Sequence, residues 1–237
     1  MSATPLLDVQ DLHKAFGGIA AVDGVSFRLA RGELLAMIGP NGAGKSTCFN
    51  CINGQLQPDR GAVRLDGRDI AGFRPRAIWR LGVGRTFQVA ATYASMTVAE
   101  NVQVALLSRE RQLLKWWPRA AAMHRVEALE LLDQVGLRAL ADQPCSALAY
   151  GDIKTVELAV ALANRPSLLL MDEPTAGMAP RERSALMILT RRLVKERGIG
   201  VLFTEHSMDV VFAHADRIMV LARGQLIAQG TPEVIRD

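Results

Sequence analysis

The chain has 237 residues, 49% hydrophobic and 22% charged, which is an ordinary globular composition with enough length to bury a sizeable core. Its net charge of +4 suits a phosphate-bearing ligand or an anionic membrane surface without requiring either. No stretch approaches the roughly 18–20 consecutive apolar residues that span a bilayer, and the first residues, MSATPLLDVQ, contain no basic or apolar signal region. We therefore expect a soluble, cytoplasmic protein.

Short apolar runs bounded by turn residues predict strands in the first part of the chain. Arg31-Gly32 and Asp66-Gly67 are the turn signals between them. The predicted elements are strands at Leu6–Leu12, Val25–Leu29 and Leu34–Ile38, a glycine-rich loop, a helix opening at Ser46, and a strand at Val63–Leu65.

Residues from about 89 to 155 have a different pattern, because strand signals disappear and Val98–Leu107 and Val126–Val135 carry helical spacing, the latter stopped by Gly136. Strands and helices then alternate again. These are strand Leu168–Met171, helix Arg181–Arg197 closed by Gly198, strand Ile199–Phe203, helix Met208–His214 and strand Ile218–Leu221. The alternation predicts a mostly parallel sheet covered on both faces. Residues 1–237 are expected to form one α/β domain with a helical subdomain inserted at about 89–155.

The strongest motif is Gly39-Pro-Asn-Gly-Ala-Gly-Lys45-Ser46, which fits the P-loop pattern G-x-x-x-x-G-K-[ST] between a predicted strand and a predicted helix. Gly42 and Gly44 allow backbone N–H groups to curl around phosphates. Lys45 reaches the β and γ oxygens, the Ser46 hydroxyl coordinates Mg²⁺, and the helix N-terminus adds partial positive charge. The motif predicts nucleotide binding.

A C-x-x-C pair, Cys48 and Cys51, follows this loop on the predicted helix. The two residues lie at i and i+3 and face one side, and a thioredoxin-type motif needs its own βαβ context, so packing is the favoured interpretation. Three cysteines are also an odd number in a long chain, which argues against a disulfide framework.

A second motif is the apolar strand that ends in Asp172, Glu173 and Pro174. Ligands bind at the carboxyl ends of the strands in a parallel sheet, so the two carboxylates are expected there. Asp172 would hold Mg²⁺ through water, and Glu173 would orient or deprotonate the attacking water. A strand followed by an acidic turn without function is the alternative, and the P-loop earlier in the chain argues against it.

The segment Leu148-Ala-Tyr-Gly151-Asp152, opening a helix before the carboxylates, resembles the L-S-G-G-Q signature of ABC ATPases. Gln88 stands where that family has its Q-loop, His206 where it has its switch histidine, and Phe16 where it stacks an aromatic ring on adenine. The order and spacing of these motifs match from Leu7 to about Pro232. The phrases Phe16-Gly-Gly, Arg85-Thr-Phe-Gln88, Met96-Thr-Val-Ala-Glu-Asn101, Leu148-Ala-Tyr-Gly151 and Glu205-His206 are similar to the ATPase subunit of branched-chain amino-acid importers.

The resemblance implies a P-loop NTPase fold of the ABC ATPase type, with a mostly parallel sheet core, an antiparallel β subdomain and an inserted helical subdomain. It also implies ATP and Mg²⁺ as cofactors. For nucleotide binding the predicted residues are Phe16, Gly39, Pro40, Asn41, Gly42, Ala43, Gly44, Lys45, Ser46, Thr47, Tyr150 and Gly151. For catalysis they are Glu173, His206 and Gln88, and for the metal Ser46, Gln88 and Asp172.

The partners that the resemblance implies are two membrane permease subunits, a second ATPase subunit and, indirectly, an extracytoplasmic solute-binding protein. The ATPase pair, a homodimer or a heterodimer, would bind each ATP between one P-loop and the other subunit's signature helix. Location is then peripheral, on the cytoplasmic face of the inner membrane. Uptake of branched-chain amino acids or related small solutes such as amides or urea is the implied function.

Three departures from the family pattern concern the γ-phosphate and the dimer. Ala149 replaces the signature serine, Asp152 replaces the glutamine, and Met178-Ala179 stands where the D-loop normally has Leu-Asp or Leu-Asn. Separately, Trp116-Trp117, beside Lys115 and Arg119, could contact a membrane interface or cap the helical insert; the capping interpretation is favoured.

Three alternatives remain open at this stage. A lipid or lipopolysaccharide exporter ATPase shares most of the architecture. A soluble ABC ATPase of DNA repair or translation typically carries a long coiled coil or two ATPase units, and neither pattern is found in this sequence, so no nucleic-acid partner is expected. A nucleotide-binding regulator would not need Glu173, and for His206 a purely structural core role is the competing interpretation.

Overall fold

The computed structural model of the protein describes residues 4–86, 92–109 and 123–236. Within these ranges ten strands form one sheet of four and one of six. Numbered in chain order, the strands are β1 (Leu7–Phe16), β2 (Ile19–Leu29), β3 (Leu34–Ile38), β4 (Arg60–Leu65), β5 (Arg68–Asp69), β6 (Val83–Thr86), β7 (Leu168–Asp172), β8 (Gly200–Thr204), β9 (Arg217–Ala222) and β10 (Gln225–Gly230). The helices are α1 (Lys45–Ile52), α2 (Pro75–Arg80), α3 (Val98–Arg109), α4 (Arg125–Gln134), α5 (Tyr150–Leu162), α6 (Pro180–Arg197), α7 (Met208–His214) and α8 (Pro232–Arg236).

The six-stranded sheet has the order β10-β9-β3-β8-β7-β6, and only its edge pair, β10 with β9, is antiparallel. All of β3 is buried, and its side chains alternate between two cores. Leu34, Ala36 and Ile38 belong to the core that includes α3, α4, α5 and α6, whereas Leu35 and Met37 belong to the core shared with α1. Burial on both faces is typical of a parallel sheet covered on both sides. The predicted parallel core is confirmed.

The four-stranded sheet is antiparallel, with the order β2-β1-β4-β5, and confirms the antiparallel β subdomain that the family resemblance implies. Its first two strands are longer than the predicted runs because the alternation is interrupted by bulges. Asp11 has φ +46°, and the register shifts between Val9 and Leu12 so that both of these side chains remain buried. A prediction based on strict alternation therefore ends β1 before its actual end at Phe16.

Helices α3, α4 and α5 contact one another and cover one face of the parallel sheet. The first two agree with the predicted helices to within two residues at each end. Gly136, with φ +77°, follows α4 and ends it in the left-handed conformation that glycine adopts readily. Among the described residues, no helix is both long and apolar enough to cross a membrane.

Two strands of the six-stranded sheet, β6 and β10, were not predicted from the sequence. β6 contains Gly84 and Arg85, which interrupt the apolar run, and it becomes a strand through parallel pairing with β7. β10 is a mostly exposed edge strand with little apolar signal. The predicted helix after the glycine-rich loop starts at Lys45, one residue earlier than expected.

Cys48 and Cys51 lie buried on α1 in the core beneath the P-loop, as the packing interpretation predicts. Burial raises the pKa of Cys48 well above its usual range and raises the pKa of Cys51 to about 11. Burial also raises the pKa of Cys145. Because the thiolate is the reactive form, we expect all three buried thiols to react slowly in the folded chain.

We predict that the native protein reacts slowly with iodoacetamide at pH 8. For Cys51, the raised pKa alone lowers the thiolate fraction about a hundredfold, and burial limits access further. Alkylation followed by mass spectrometry, with a urea-unfolded sample as the control, tests this expectation. Labelling of the native thiols at the unfolded rate would contradict it.

Candidate active site

The P-loop runs from Gly39, after β3, to the start of α1. Gly39 and Gly44 have φ +149° and +100°, and a Cβ atom there would lie 2.1 Å from the Leu221 carbonyl oxygen and 2.2 Å from that of Ala21, respectively. Only glycine leaves room for the backbone to pass so closely. Gly42, with φ +78°, has open space around it. The loop is thus pressed against its supports at both ends and open at its centre.

Two backbone segments that are distant from the P-loop in sequence support it through hydrogen bonds. The Gly224 N–H donates to the Ala43 carbonyl at 3.1 Å, and the Asp23 N–H donates to the Gly224 carbonyl at 2.8 Å. The β9–β10 turn and the start of β2 therefore fix the loop's position. Ser46, in the first turn of α1, remains exposed and available to a ligand.

Lys45 is 7% exposed, and its ammonium donates to the carbonyls of Gly39 at 2.7 Å and Pro40 at 3.0 Å. Burial lowers the pKa of Lys45, while the nearby carboxylates of Glu173 and Asp172 act in the opposite direction. Both carboxylates at the end of β7 therefore lie near enough to influence the P-loop lysine, although residues 45 and 172 are far apart in sequence.

Asp172 is positioned by the pairing of β7 with β8, which places it opposite Thr204. The Thr204 hydroxyl donates to Asp172 Oδ1 at 2.8 Å, and Arg85 Nη2 approaches Asp172 Oδ2 at 3.4 Å. Arg85 also donates to the side chains of Asn50, on α1, and Gln55. Burial lowers the pKa of Arg85, an effect that Asp172 opposes. Arg85 was not among the predicted site residues.

Glu173 directly follows β7 and has φ +47°, a conformation that costs a non-glycine residue about 1–2 kcal/mol. Its N–H is held by both oxygens of Thr204, the carbonyl at 3.2 Å and the hydroxyl at 3.0 Å. Glu173 Oε1 lies 3.0 Å from Nε2 of His206, which follows the end of β8 and whose side chain is 49% exposed. An exposed imidazole in contact with a carboxylate argues against the core-histidine interpretation.

Phe16 ends β1 and is 48% exposed. The Lys14 ammonium lies 5.6 Å from its ring centre and is itself held by Asp59 at 2.7 Å. The strand that follows Phe16 includes Ala21, whose carbonyl approaches Gly44 of the P-loop. An exposed aromatic ring on a hairpin that braces the P-loop fits the predicted contact with a base.

The signature segment opens α5, where Ala149 is the extended N-cap and Gly151 is buried. A Cβ at Gly151 would lie 3.0 Å from the Glu182 carboxyl carbon of α6, so the two helices approach closely there. A cavity of about 460 Å³ at this helix end is lined by residues of α4, α5, α6 and adjoining turns, and among the described residues none of its lining belongs to the P-loop. Gly151 lines this cavity, whereas Tyr150 and Lys45 are not among its lining residues.

Gln88 and Trp116-Trp117 lie outside the described residues. Asp152 occupies the first turn of α5, where an acid is favourable, and Ala179 is the N-cap of α6.

The arrangement fits a nucleoside triphosphate and Mg²⁺. The two P-loop positions with no room for Cβ, the N-terminus of α1 and the lysine ammonium form a cradle for phosphate oxygens. The Ser46 hydroxyl and the Asp172 carboxylate supply oxygen ligands, which Mg²⁺ prefers. Glu173 and His206 stand in contact at the same sheet edge, where a carboxylate can accept a proton and an imidazole can form hydrogen bonds.

Gly44→Ala and Gly42→Ala make a matched pair that tests the cradle. We predict that Gly44→Ala abolishes nucleotide binding and lowers the melting temperature, because its Cβ would overlap the Ala21 carbonyl. Gly42→Ala should carry only the backbone cost, about 1–2 kcal/mol, because nothing lies near its Cβ. Thermal melts with and without ATP compare them, and equal losses would contradict this geometry.

Comparison with known proteins agrees with the geometry. A family model described as ABC transporter matches residues 22–176. The chain is 40% identical over 243 residues to the high-affinity branched-chain amino acid transport ATP-binding protein BraF of Pseudomonas aeruginosa, covering 98% of this chain and 94% of that one.

Two solved structures share the fold over most of their length. The ADP conformation of MJ1267, an ATP-binding cassette of an ABC transporter, gives a TM-score of 0.89 at 35% identity and covers 99% of this chain and 94% of that one. A dimeric post-hydrolysis state of the ATP-binding cassette MJ0796, bound to ADP and Pi, gives a TM-score of 0.80 at 26% identity and covers 95% of this chain and 98% of that one. The chain therefore belongs to the ABC transporter family and is an ATP-hydrolysing subunit of that family.

Proposed function

We propose that the chain powers the uptake of branched-chain amino acids, or of related small solutes such as amides or urea, through partner permeases. The observation that carries the ATPase part is the contact of Glu173 with His206 at 3.0 Å, at an edge where Glu173 and Asp172 also influence the P-loop lysine. The near full-length similarity to BraF supports the solute class.

Each predicted site residue has a defined part in this proposal. The backbone N–H groups between Gly39 and Thr47, where Pro40 has none to offer, and the Lys45 ammonium bind the phosphates, and Phe16 stacks on the base. Ser46, Gln88 and Asp172, the last through water, would hold Mg²⁺, which when bound neutralises charge on the phosphate oxygens. Asp172 is already oriented for this part, because Thr204 fixes its Oδ1.

The side chains that follow β7 and β8 carry out the hydrolysis step. Glu173 orients or deprotonates the attacking water, and His206 fixes the glutamate and contacts the γ-phosphate or that water. Gln88 assists at the metal or the water. The strained backbone of Glu173, tied twice to Thr204, keeps the carboxylate at this edge. Preorganised groups of this kind act without reorganisation cost at the moment of reaction.

The signature helix serves a second copy or a related ATPase. Among the described residues, no P-loop residue lines the cavity at the start of α5, which supports a signature helix that completes a nucleotide site in another chain. The dimeric MJ0796 structure with ADP and Pi supports such a pair. Because Ala149 removes the serine hydroxyl usual at this position, a second, related ATPase is the favoured partner.

Permease contact is assigned to a groove of about 420 Å³ between the P-loop core and the helical region. Its lining includes Trp79, Arg85 and Tyr93, and the Tyr93 side chain is 56% exposed. The Asn101 side chain fixes the Tyr93 backbone with hydrogen bonds of 2.7 and 3.2 Å, which presents the ring outward. Gln88 lies between Arg85 and Tyr93 in the sequence.

In this proposal the chain is a single ABC ATPase domain with its helical subdomain at about 89–155. It sits peripherally on the cytoplasmic face of the inner membrane, docked to two permease subunits, and a solute-binding protein acts on the far side. A lipid exporter ATPase would share the site geometry, but the similarity to BraF favours import.

We predict that Lys45→Ala and Glu173→Gln fail at different steps. Lys45→Ala should lose nucleotide affinity because the phosphates lose their point charge. Glu173→Gln should bind ATP, lose turnover and accumulate an ATP-held dimer. Fluorescent-nucleotide binding, phosphate release and size-exclusion chromatography with ATP distinguish these outcomes. Parent-rate hydrolysis by Glu173→Gln would show that Glu173 is not the base.

We also predict that Tyr93→Ala lowers transport more than ATPase activity, because Tyr93 lines the groove assigned to the permeases. The measurement is solute uptake and phosphate release in vesicles containing the permeases. Ile227→Ala, which truncates another exposed apolar side chain outside the groove, is the control and should change neither rate. Equal loss of both rates in Tyr93→Ala would place the residue in the ATPase mechanism instead.

A further inference from the structure

Glu205 is a buried carboxylate between the end of β8 and His206, and it was not predicted as a site residue. It is 4% exposed. Its Oε1 accepts hydrogen bonds from the Thr175 N–H at 2.9 Å and the Thr175 hydroxyl at 2.6 Å. Its Oε2 accepts from the N–H of His206 at 3.2 Å.

These three donors come from the two loops that carry the proposed chemistry. Thr175 is two residues after Glu173, in a run of turns where the Ala176 N–H bonds the Glu173 carbonyl at 3.1 Å. On the other side, His206 directly follows Glu205. A carboxylate is costly to bury unless its oxygens are hydrogen-bonded, so the site holds this charge by means of both loops at once.

We propose that Glu205 is a positioning residue that fastens the Glu173 loop to the His206 loop and thereby maintains their 3.0 Å contact. Thr204 makes a first tie, through the Glu173 N–H, and Glu205 makes a second tie two residues further along that loop. The loop that carries the general base Glu173 is therefore held at Glu173 itself and again at Thr175. The inference rests on the proposed roles of Glu173 and His206.

Donor and acceptor chemistry makes the carboxylate specifically necessary. Both of its oxygens face donors, so only a side chain with two acceptors satisfies them. In Glu205→Gln the amide nitrogen must face a donor, either the His206 N–H or the Thr175 N–H and hydroxyl. Whichever way the amide turns, one loop loses its tie while the shape of the side chain is kept.

Glu205→Gln is tested with Thr175→Val, which removes only the hydroxyl from the other half of the contact. Glu100→Gln is the matched control, since Glu100 accepts the Thr97 N–H at 2.8 Å at the start of α3, outside the site. We expect kcat to fall about ten- to a hundredfold in Glu205→Gln and less in Thr175→Val. KM for ATP and the affinity for a fluorescent ATP analogue should stay near the parent values, and Glu100→Gln should keep the parent kcat.

A double-mutant cycle tests whether Glu205 acts through His206. In a His206→Ala background, Glu205→Gln should cause little further loss of the remaining turnover, because the group that it positions has been removed. Independent, multiplicative losses would overturn the inference. Loss of nucleotide affinity and melting temperature in parallel with kcat, in both Glu205→Gln and Thr175→Val, would also overturn it in favour of a general structural role.

Failure of the inference and failure of the proposed function give different results. Parent-rate hydrolysis by Glu205→Gln and Thr175→Val, with Glu173→Gln inactive, would overturn the positioning role and leave the proposed function standing. If Glu173→Gln and His206→Ala themselves hydrolyse ATP at the parent rate, the chemistry assigned to the sheet edge is wrong, and the positioning role falls with it. Should Glu205→Gln fail to fold, Thr175→Val alone decides through its kcat.

Discussion

The parallel pairing of β7 with β8 is the constraint on which the site depends. It sets Asp172 opposite Thr204 and delivers the loops that follow both strands to one edge of the sheet. β3 pairs with β8 on the other side, so the P-loop starts at that same edge. Because these strands are buried on both faces, their register is fixed by packing in two cores, and a slip of one residue would exchange those faces. Three short strands thus hold a lysine, two carboxylates and a histidine together.

The groups at this edge are held in place at some cost to the fold. Glu173 has a left-handed backbone, Lys45 is nearly buried, and Glu205 is a buried carboxylate. Local hydrogen bonds compensate for each of these costs, because the Glu173 N–H donates to Thr204, the Lys45 ammonium donates to P-loop carbonyls, and Glu205 accepts from Thr175 in the loop after Glu173. Arg85 adds a link of another kind, since one guanidinium contacts α1, Asp172 and the groove assigned to the permease. In the proposed function, the chemistry and the permease contact therefore share the Arg85 side chain.

The parallel core was predicted correctly, and the sequence predicts candidate site residues where a local pattern identifies them without a distant partner. The P-loop is such a pattern, and so is the apolar strand that ends in Asp172 and Glu173. Arg85 and Glu205 were missed because their partners, Asp172 and Thr175, lie 87 and 30 residues away in the chain. β6 was missed for a similar reason, since its pairing with β7, rather than its own pattern, makes it a strand. In β1, register shifts interrupted the alternation and hid the residues after Leu12.

The most direct test of this account is a paired measurement on His206→Ala, taking ATP turnover and thermal unfolding from one preparation. The side chain is half-exposed and contacts Glu173, so its loss should leave the melting temperature and ATP affinity close to the parent values. Turnover should fall about a hundredfold or more, the scale of a group that takes part in proton transfer. A large loss of melting temperature with parent turnover would instead make His206 a structural residue and contradict the account.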